Sequence, residues 1–182
     1  FTGVLLMLAY EPSPERAYDS VIGLQDQFLF GGLVRNIHHW SANILVAVVL
    51  LHMLRVLFTG GFHGPRRFNW VIGLGLLAGI LAANFTGYLL PWDQLAFWAV
   101  TVGTEMAGYV PIFGEQVKEM LLGGPTVDSA TLLRFYVLHV AVLPSLMIFT
   151  LMIHLWRWRK DAMFDQEAQD AMLDQEAEDA DE

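Results

Sequence analysis

Between residues 36 and 54 the chain carries no Asp, Glu, Lys or Arg, and between residues 68 and 92 it again carries none. At about 1.5 Å of rise per helical residue, such runs are long enough to cross the roughly 30 Å of hydrocarbon in a bilayer. The composition agrees: 55% of the residues are hydrophobic and the mean hydropathy is +0.45, more apolar than a soluble domain of this size usually is. The expectation is an all-α membrane protein, a transmembrane four-helix bundle with a truncated first helix and short amphipathic interfacial helices between the third and fourth. The chain has no cysteine, which excludes disulfides, thiolate zinc sites and iron–sulfur ligation within it. Histidine is the strong nitrogen ligand that remains.

Residues 1–10 are apolar but span only about 15 Å as helix, which predicts the second half of a spanning helix. Residues 11–31 read as a polar connection. A second helix is expected from about Leu33 to Phe58, then a tight basic turn through Gly60, Gly61, His63, Gly64, Pro65, Arg66 and Arg67. A third covers about Trp70 to Leu90 and stops at Pro91. Leu95–Val110 and Pro111–Leu122 read as the interfacial pieces, and Gly123-Gly124-Pro125 ends the second. The fourth helix runs from about Thr131 to Trp158 with Pro144 inside it, tolerable in a membrane when neighbours satisfy the freed carbonyl.

The net charge of −9 is localised, because ten of the nineteen acids fall in the last 22 residues. The remainder holds ten bases against nine acids, with no basic patch of the size nucleic acid requires. Arg55, Arg66, Arg67, Arg157, Arg159 and Lys160 fall on one side of the expected bundle. The positive-inside rule places that side in the cytoplasm or its equivalent. Residues 1–160 are expected to form the transmembrane domain. Residues 161–182 form an acidic tail containing a nine-residue tandem repeat, 161–169 and 170–178, read as a disordered segment or a solvated helix.

His38 and His52 lie fourteen residues apart in the second helix, about 21 Å of rise and nearly four turns, so both imidazoles leave on one face. His139 and His154 lie fifteen apart in the fourth. A lone histidine in a bilayer often does no more than bond a neighbouring helix, but four in two matched pairs point to a function. If the two helices run parallel, His38 faces His139 and His52 faces His154, and each pair grips an iron from both sides of a planar haem. Both axial positions are then filled, which suits electron transfer rather than oxygen binding. Gly73 and Gly87 of the third helix are also fourteen apart. Small-residue helix packing is the ordinary explanation, but the repeated spacing favours backbone approached by a flat macrocycle. Arg35, Arg55 and Arg134 lie near the histidines at helix ends, suited to haem propionates or to snorkelling at the interface. His39 points about 100° away from His38 and has no partner at matching depth, and His63 lies in the basic turn.

Four motifs carry a resemblance over residues 1 to about 160. They are Ile37-His38-His39-Trp40-Ser41-Ala42, His52-Met53-Leu54-Arg55, Gly87-Tyr88-Leu89-Leu90-Pro91-Trp92-Asp93-Gln94, and Thr126-Val127-Asp128-Ser129-Ala130-Thr131-Leu132-Leu133-Arg134-Phe135. The chain resembles the N-terminal, haem-bearing half of the cytochrome b family. The fifteen residues from His139 to His154, and Asp93 after Pro-Trp, resemble the short, split b6 type more than the mitochondrial type.

The resemblance implies two haem b groups: a low-potential one near the outer face on His38 and His139, and a high-potential one near the inner face on His52 and His154. It implies that Gly3, Gly73 and Gly87 face haem. It puts Tyr88 and the segment containing Trp98, Ala99 and Val102 along an outer quinol-oxidation site, and Arg159 and Lys160 at an inner quinone pocket. It implies a subunit of a quinol:cytochrome c or plastocyanin-type oxidoreductase that bifurcates electrons in a Q-cycle and translocates protons. The partners would be a Rieske iron–sulfur protein, a c-type cytochrome and a C-terminal cytochrome b half or subunit IV-like chain, in a homodimeric complex. No catalytic residue is assigned within this chain, because the family's Pro-Glu-Trp-Tyr motif is absent. The b6 type attaches a third haem at the inner face through a cysteine upstream of Thr2-Gly3, a position that precedes residue 1. The setting would be a bacterial cytoplasmic membrane, with a thylakoid-type membrane the other candidate. The alternative is a di-haem b membrane anchor linking the quinone pool to a peripheral dehydrogenase or reductase. A histidine-lined proton channel without pigment is the remaining class.

Overall fold

The computed structural model describes the backbone of residues 1–181 and the side chains of residues 1–163, 166, 172, 173 and 175. All regular structure among the described residues is helical. The apolar start forms α1 (Thr2–Met7), which packs against α3 and the beginning of the last helix. The connection over 11–31 holds a helix that the sequence reading did not separate, α2 (Ala17–Gln27). Its buried residues, Ala17 and Leu24, are seven apart and so share one face. That face lies on the start of α3 (Gly31–Phe58), where a Cβ on Gly31 would collide with the Leu24 carbonyl oxygen. Two small anchors among polar residues give too weak a periodicity to announce a helix.

With 28 residues, α3 is about 42 Å long, and only Gly31 in it is buried. Ile44, Val48 and Leu51 are more than half exposed, as side chains solvated by lipid should be. Gly60 and Gly64 take positive φ in the turn that follows, and a short 3-10 turn (Gly64–Arg66) leads into α4 (Arg67–Leu89).

The interfacial pieces are α5 (Gln94–Gly108) and α6 (Gly114–Leu122). The Asp93 carboxylate caps α5 by accepting from the Ala96 N–H at 2.8 Å. Lys118 of α6 reaches Glu105 of α5 at 2.7 Å, a hydrogen bond that holds the lysine above its usual pKa.

Asp128 starts α7 (Ser129–Val137) with a reciprocal cap. Its carboxylate accepts from Ala130 N–H at 2.8 Å while its own N–H donates to Thr131 Oγ1 at 3.2 Å. The Thr131 hydroxyl donates to the Leu122 carbonyl at 2.7 Å and ties α7 to the end of α6.

A wide π-helical turn, Leu138–Val142, carries α7 without a break into α8 (Leu143–Asp181). Pro144 explains its place. A proline lacks the N–H that the Val140 carbonyl would receive, and its ring would press on that carbonyl. Widening the preceding turn relieves both.

Three segments, Gly31–Phe58, Gly64–Leu89 and Ser129–Met163, are long and apolar enough to cross a membrane. The protein is an integral membrane helical bundle. Its buried core sits at the end opposite the basic side, where Leu89, Ala96, Val100 and Phe135 meet and Trp92, Ala99, Leu121 and Val127 pack around them. Along the membrane, α4 packs against both α3 and α8, but among the described residues α3 and α8 make no close backbone approach to each other. The residues that meet between these helices include His38, His139 and His154, the glycines of α4, and Met53 and Met147.

Candidate functional site

The rings of His38 on α3 and His139 in the π turn meet across the gap with centroids 6.2 Å apart and planes at 84°. A metal held by one nitrogen of each ring, at bonds of about 2 Å, places the two centroids at about this separation. His139 is oriented by α4. Its Nδ1 lies 3.0 Å from the Ala83 carbonyl oxygen and 3.2 Å from the Thr86 hydroxyl. That hydroxyl already donates to the Ala82 carbonyl at 2.9 Å, so it acts toward the ring as an acceptor. With acceptors on that side, Nδ1 carries the proton and Nε2 keeps its lone pair. On the other side Thr2 Oγ1 lies 3.2 Å from His38 Nδ1. The backbone around both rings is bare. A Cβ on Gly87 would stand 2.5 Å from His139 Cε1, and one on Gly3 would stand 3.3 Å from His38 Cε1.

The arrangement recurs one level toward the basic side. Gly73 lies fourteen residues before Gly87 on α4, and a Cβ there would stand 3.6 Å from His154 Cε1 and 3.7 Å from Met53 Sδ. Asn69 stands four residues before Gly73, as Ala83 stands four before Gly87, and its backbone faces His154. Among the described residues the buried Nδ1 of His154 meets no fully formed hydrogen bond, with the Asn69 backbone the group turned toward the ring. His52 lies within electrostatic reach of His154. No group of three His, Asp or Glu side chains able to hold a metal occurs among the described residues. The level of His38 and His139 thus offers two facing imidazoles and bare backbone, and the level on the basic side offers His154 and bare backbone with His52 in electrostatic reach, donors that suit a planar macrocycle supplying its own four equatorial nitrogens.

The π turn accounts for the unequal spacings. Fourteen residues of ideal helix fall about 40° short of four turns, and fifteen overshoot by about 60°. One additional residue in the wide turn removes about 100° of phase, so His139 and His154 relate to each other as His38 and His52 do.

Arg35 and Arg55 lie toward opposite ends of α3, half-buried and exposed respectively. The Arg134 guanidinium donates to the Met120 carbonyl and lies against Gly123, so it bridges α7 to the end of α6. His39 points away from the gap, accepts from Asn43 Nδ2 at 3.2 Å and abuts Trp40. His63 stacks on Phe62 at 4.0 Å in the basic turn. Tyr88, in the last turn of α4, is half exposed, and Trp98 and Val102 share an exposed face of α5. Ala99 packs instead on the core. Arg159 is exposed near the end of the last span, and Lys160 lies over the Trp156 ring at 5.5 Å. Sequence reasoning passed over Thr2, Ala83 and Thr86. Thr2 and Thr86 left a trace, each as a hydroxyl one residue before a bare glycine, and Ala83 left none.

The family described as Cytochrome b/b6/petB matches residues 1–162. The chain is 46% identical over 153 residues to cytochrome b6 of Heliomicrobium gestii, covering 84% of this chain and 72% of that one. It is 40% identical over 162 residues to cytochrome b6 of Synechococcus elongatus, covering 89% of this chain and 75% of that one. Among solved structures it is similar to a chain of a hyperthermophilic respiratory Complex III, with a TM-score of 0.80 and 32% identity over 87% of this chain. It spans 43% of that Complex III chain.

Proposed function

The chain belongs to the cytochrome b/b6 family, and from that premise we propose that it carries electrons across the membrane through two bis-histidine haem b groups, as the cytochrome b subunit of a quinol oxidoreductase. The observation that carries this reading is the pair of imidazoles 6.2 Å apart, centroid to centroid, between α3 and the π turn that leads into α8. His38 and His139 are the proposed ligands at the level opposite the basic side, the low-potential position, and His52 and His154 those at the basic side, the high-potential position. A haem held by two imidazoles supplies one-electron exchange with no open coordination position. The chain's own residues do the rest. Ala83, Thr86 and Thr2 fix imidazole orientation through Nδ1, and Gly3, Gly73 and Gly87 clear the space beside the rings. Arg35, Arg55 and Arg134 offer cations at the ends of the gap for propionates.

On this reading quinol is oxidised near Tyr88, Trp98, Ala99 and Val102, and quinone is reduced near Arg159 and Lys160 at the basic side. One electron leaves through a Rieske partner toward a c-type cytochrome, and the other crosses this chain, with net proton transfer across the membrane. A subunit IV-like segment, whether on a second chain or beyond this one, completes the outer site in a dimeric complex.

The test is a reduced-minus-oxidised spectrum and a haem count on the purified complex. Two b-type groups per chain are expected. His38→Ala or His139→Ala should remove one, and His52→Ala or His154→Ala the other. A colourless polypeptide overturns the reading. Inhibitor-sensitive quinol oxidation with a co-purifying Rieske protein separates it from a di-haem anchor of a dehydrogenase.

A further inference from the structure

On a side of α4 turned away from His139 and His154 lies a shallow groove of about 440 Å³, lined by Phe62, His63, Arg67, Trp70, Val71 and Leu74. Positions 67, 70, 71 and 74 follow i, i+3, i+4, i+7 spacing and form one stripe on the helix. Asn69 and Gly73, which face His154, lie on a different side of the same helix. The stripe grades from cationic to apolar as it descends from the interface. Arg67 opens α4, Trp70 stands one turn deeper, and Val71 and Leu74 continue toward the hydrocarbon. Val71 is 60% exposed and Leu74 45%. The upper wall is aromatic, with Phe62 stacked on His63 and its centroid 6.3 Å from the Trp70 ring. Among the described residues Arg67 has no carboxylate partner, whereas Arg157, across α4, is paired with Asp161 at 3.1 Å.

We propose that this groove holds one anionic phospholipid, its phosphate against Arg67 and an acyl chain along Trp70, Val71 and Leu74. Charge selects the occupant. The mouth lies on the basic side of the molecule, at the membrane surface that carries anionic lipid, and a juxtamembrane cation there attracts such headgroups. The floor is a strip of apolar side chains running along the membrane normal, which suits a lipid tail and would leave a soluble anion unsatisfied. The gradient of the stripe is that of the lipid itself.

The experiment uses the intact complex, moved into vesicles of phosphatidylcholine alone or of phosphatidylcholine with phosphatidylglycerol, re-extracted, and read by native mass spectrometry for retained lipid. Phosphatidylglycerol should be retained at one molecule per chain in preference to phosphatidylcholine. Arg67→Gln should lower retention about fivefold, equivalent to about 1 kcal/mol. Val71→Trp, which fills the floor, should lower it without altering the charge. Both variants should keep the haem spectrum of the parent, which shows that they fold. Equal retention of both lipids, unchanged retention in the two variants, displacement by inorganic phosphate, or a polypeptide of the complex cross-linking to position 71 would each overturn the proposal. The haem spectrum serves only as the folding control, and lipid retention itself is read without the electron-transfer reading.

Discussion

The glycines are where a single side chain decides most. A methyl added at Gly87 would lie 2.5 Å from His139 Cε1, closer than real Cβ contacts come, whereas one added at Gly73 would lie at an ordinary 3.6 Å from His154 Cε1. Gly87→Ala is therefore expected to cost the complex most of one b-type haem, and Gly73→Ala to leave both in place, measured as haem per chain after purification. Equal losses would show that the distances do not control occupancy. Thr86→Val tests the orienting bonds. The Ala83 carbonyl remains as acceptor, so the change should cost only about 1 kcal/mol and shift the spectrum without abolishing it. The histidines and the two α4 glycines were legible because their spacing repeats. The groups that orient them were not, because a backbone carbonyl such as that of Ala83 leaves no mark in a sequence.

Among the elements, the π turn and the end of α8 behave least like ideal helix. Deleting Ala141 together with Pro144→Ala removes one residue from Leu138–Val142 and the proline that calls for the wide turn, and lets an ordinary turn form with the same downstream phase. Both haems should survive that deletion. Inserting one alanine after Leu146 turns His154 by about 100° and should cost the haem on the basic side, read in the same spectrum. Nothing in the sequence names the wide turn. Fifteen against fourteen hints at it only once both pairs are known to share one geometry. At the far end of the last span, Arg157 bonds Asp161 at 3.1 Å, lies over Phe68 and approaches the Pro65 carbonyl, while Asp161 is 2% exposed. Arg157→Ala would leave a buried carboxylate unpaired. It should destabilise the fold by about 3 kcal/mol, whereas Arg157→Met with Asp161→Leu should come close to neutral. Thermal inactivation of the complex in detergent would rank the three. The residues of the acidic repeat continue the backbone of α8 to Asp181, and most of their side chains lie outside the described residues.

At the scale of the whole molecule, the three long spans and the pair α5 and α6 between the second and third were legible from charge-free runs and helix stops. The short α2 was not, because its burial depends on tertiary contact with α3. The distribution of bases predicts topology. A periplasmic reporter enzyme fused at Phe113 should be active, and one fused at His63 inactive; the reverse pattern would invert the molecule. The separation of α3 from α8 has a further consequence for how such a molecule is made. Two arms whose backbones stay apart are joined through α1, α4 and the His38–His139 rings, and the space between them is left for something else to fill. On the proposed reading the pigment is the mortar of the wall as well as its wire. Polypeptide synthesis would then have to keep step with porphyrin supply, and chains made during a shortage would be open to proteases before they ever carried a charge.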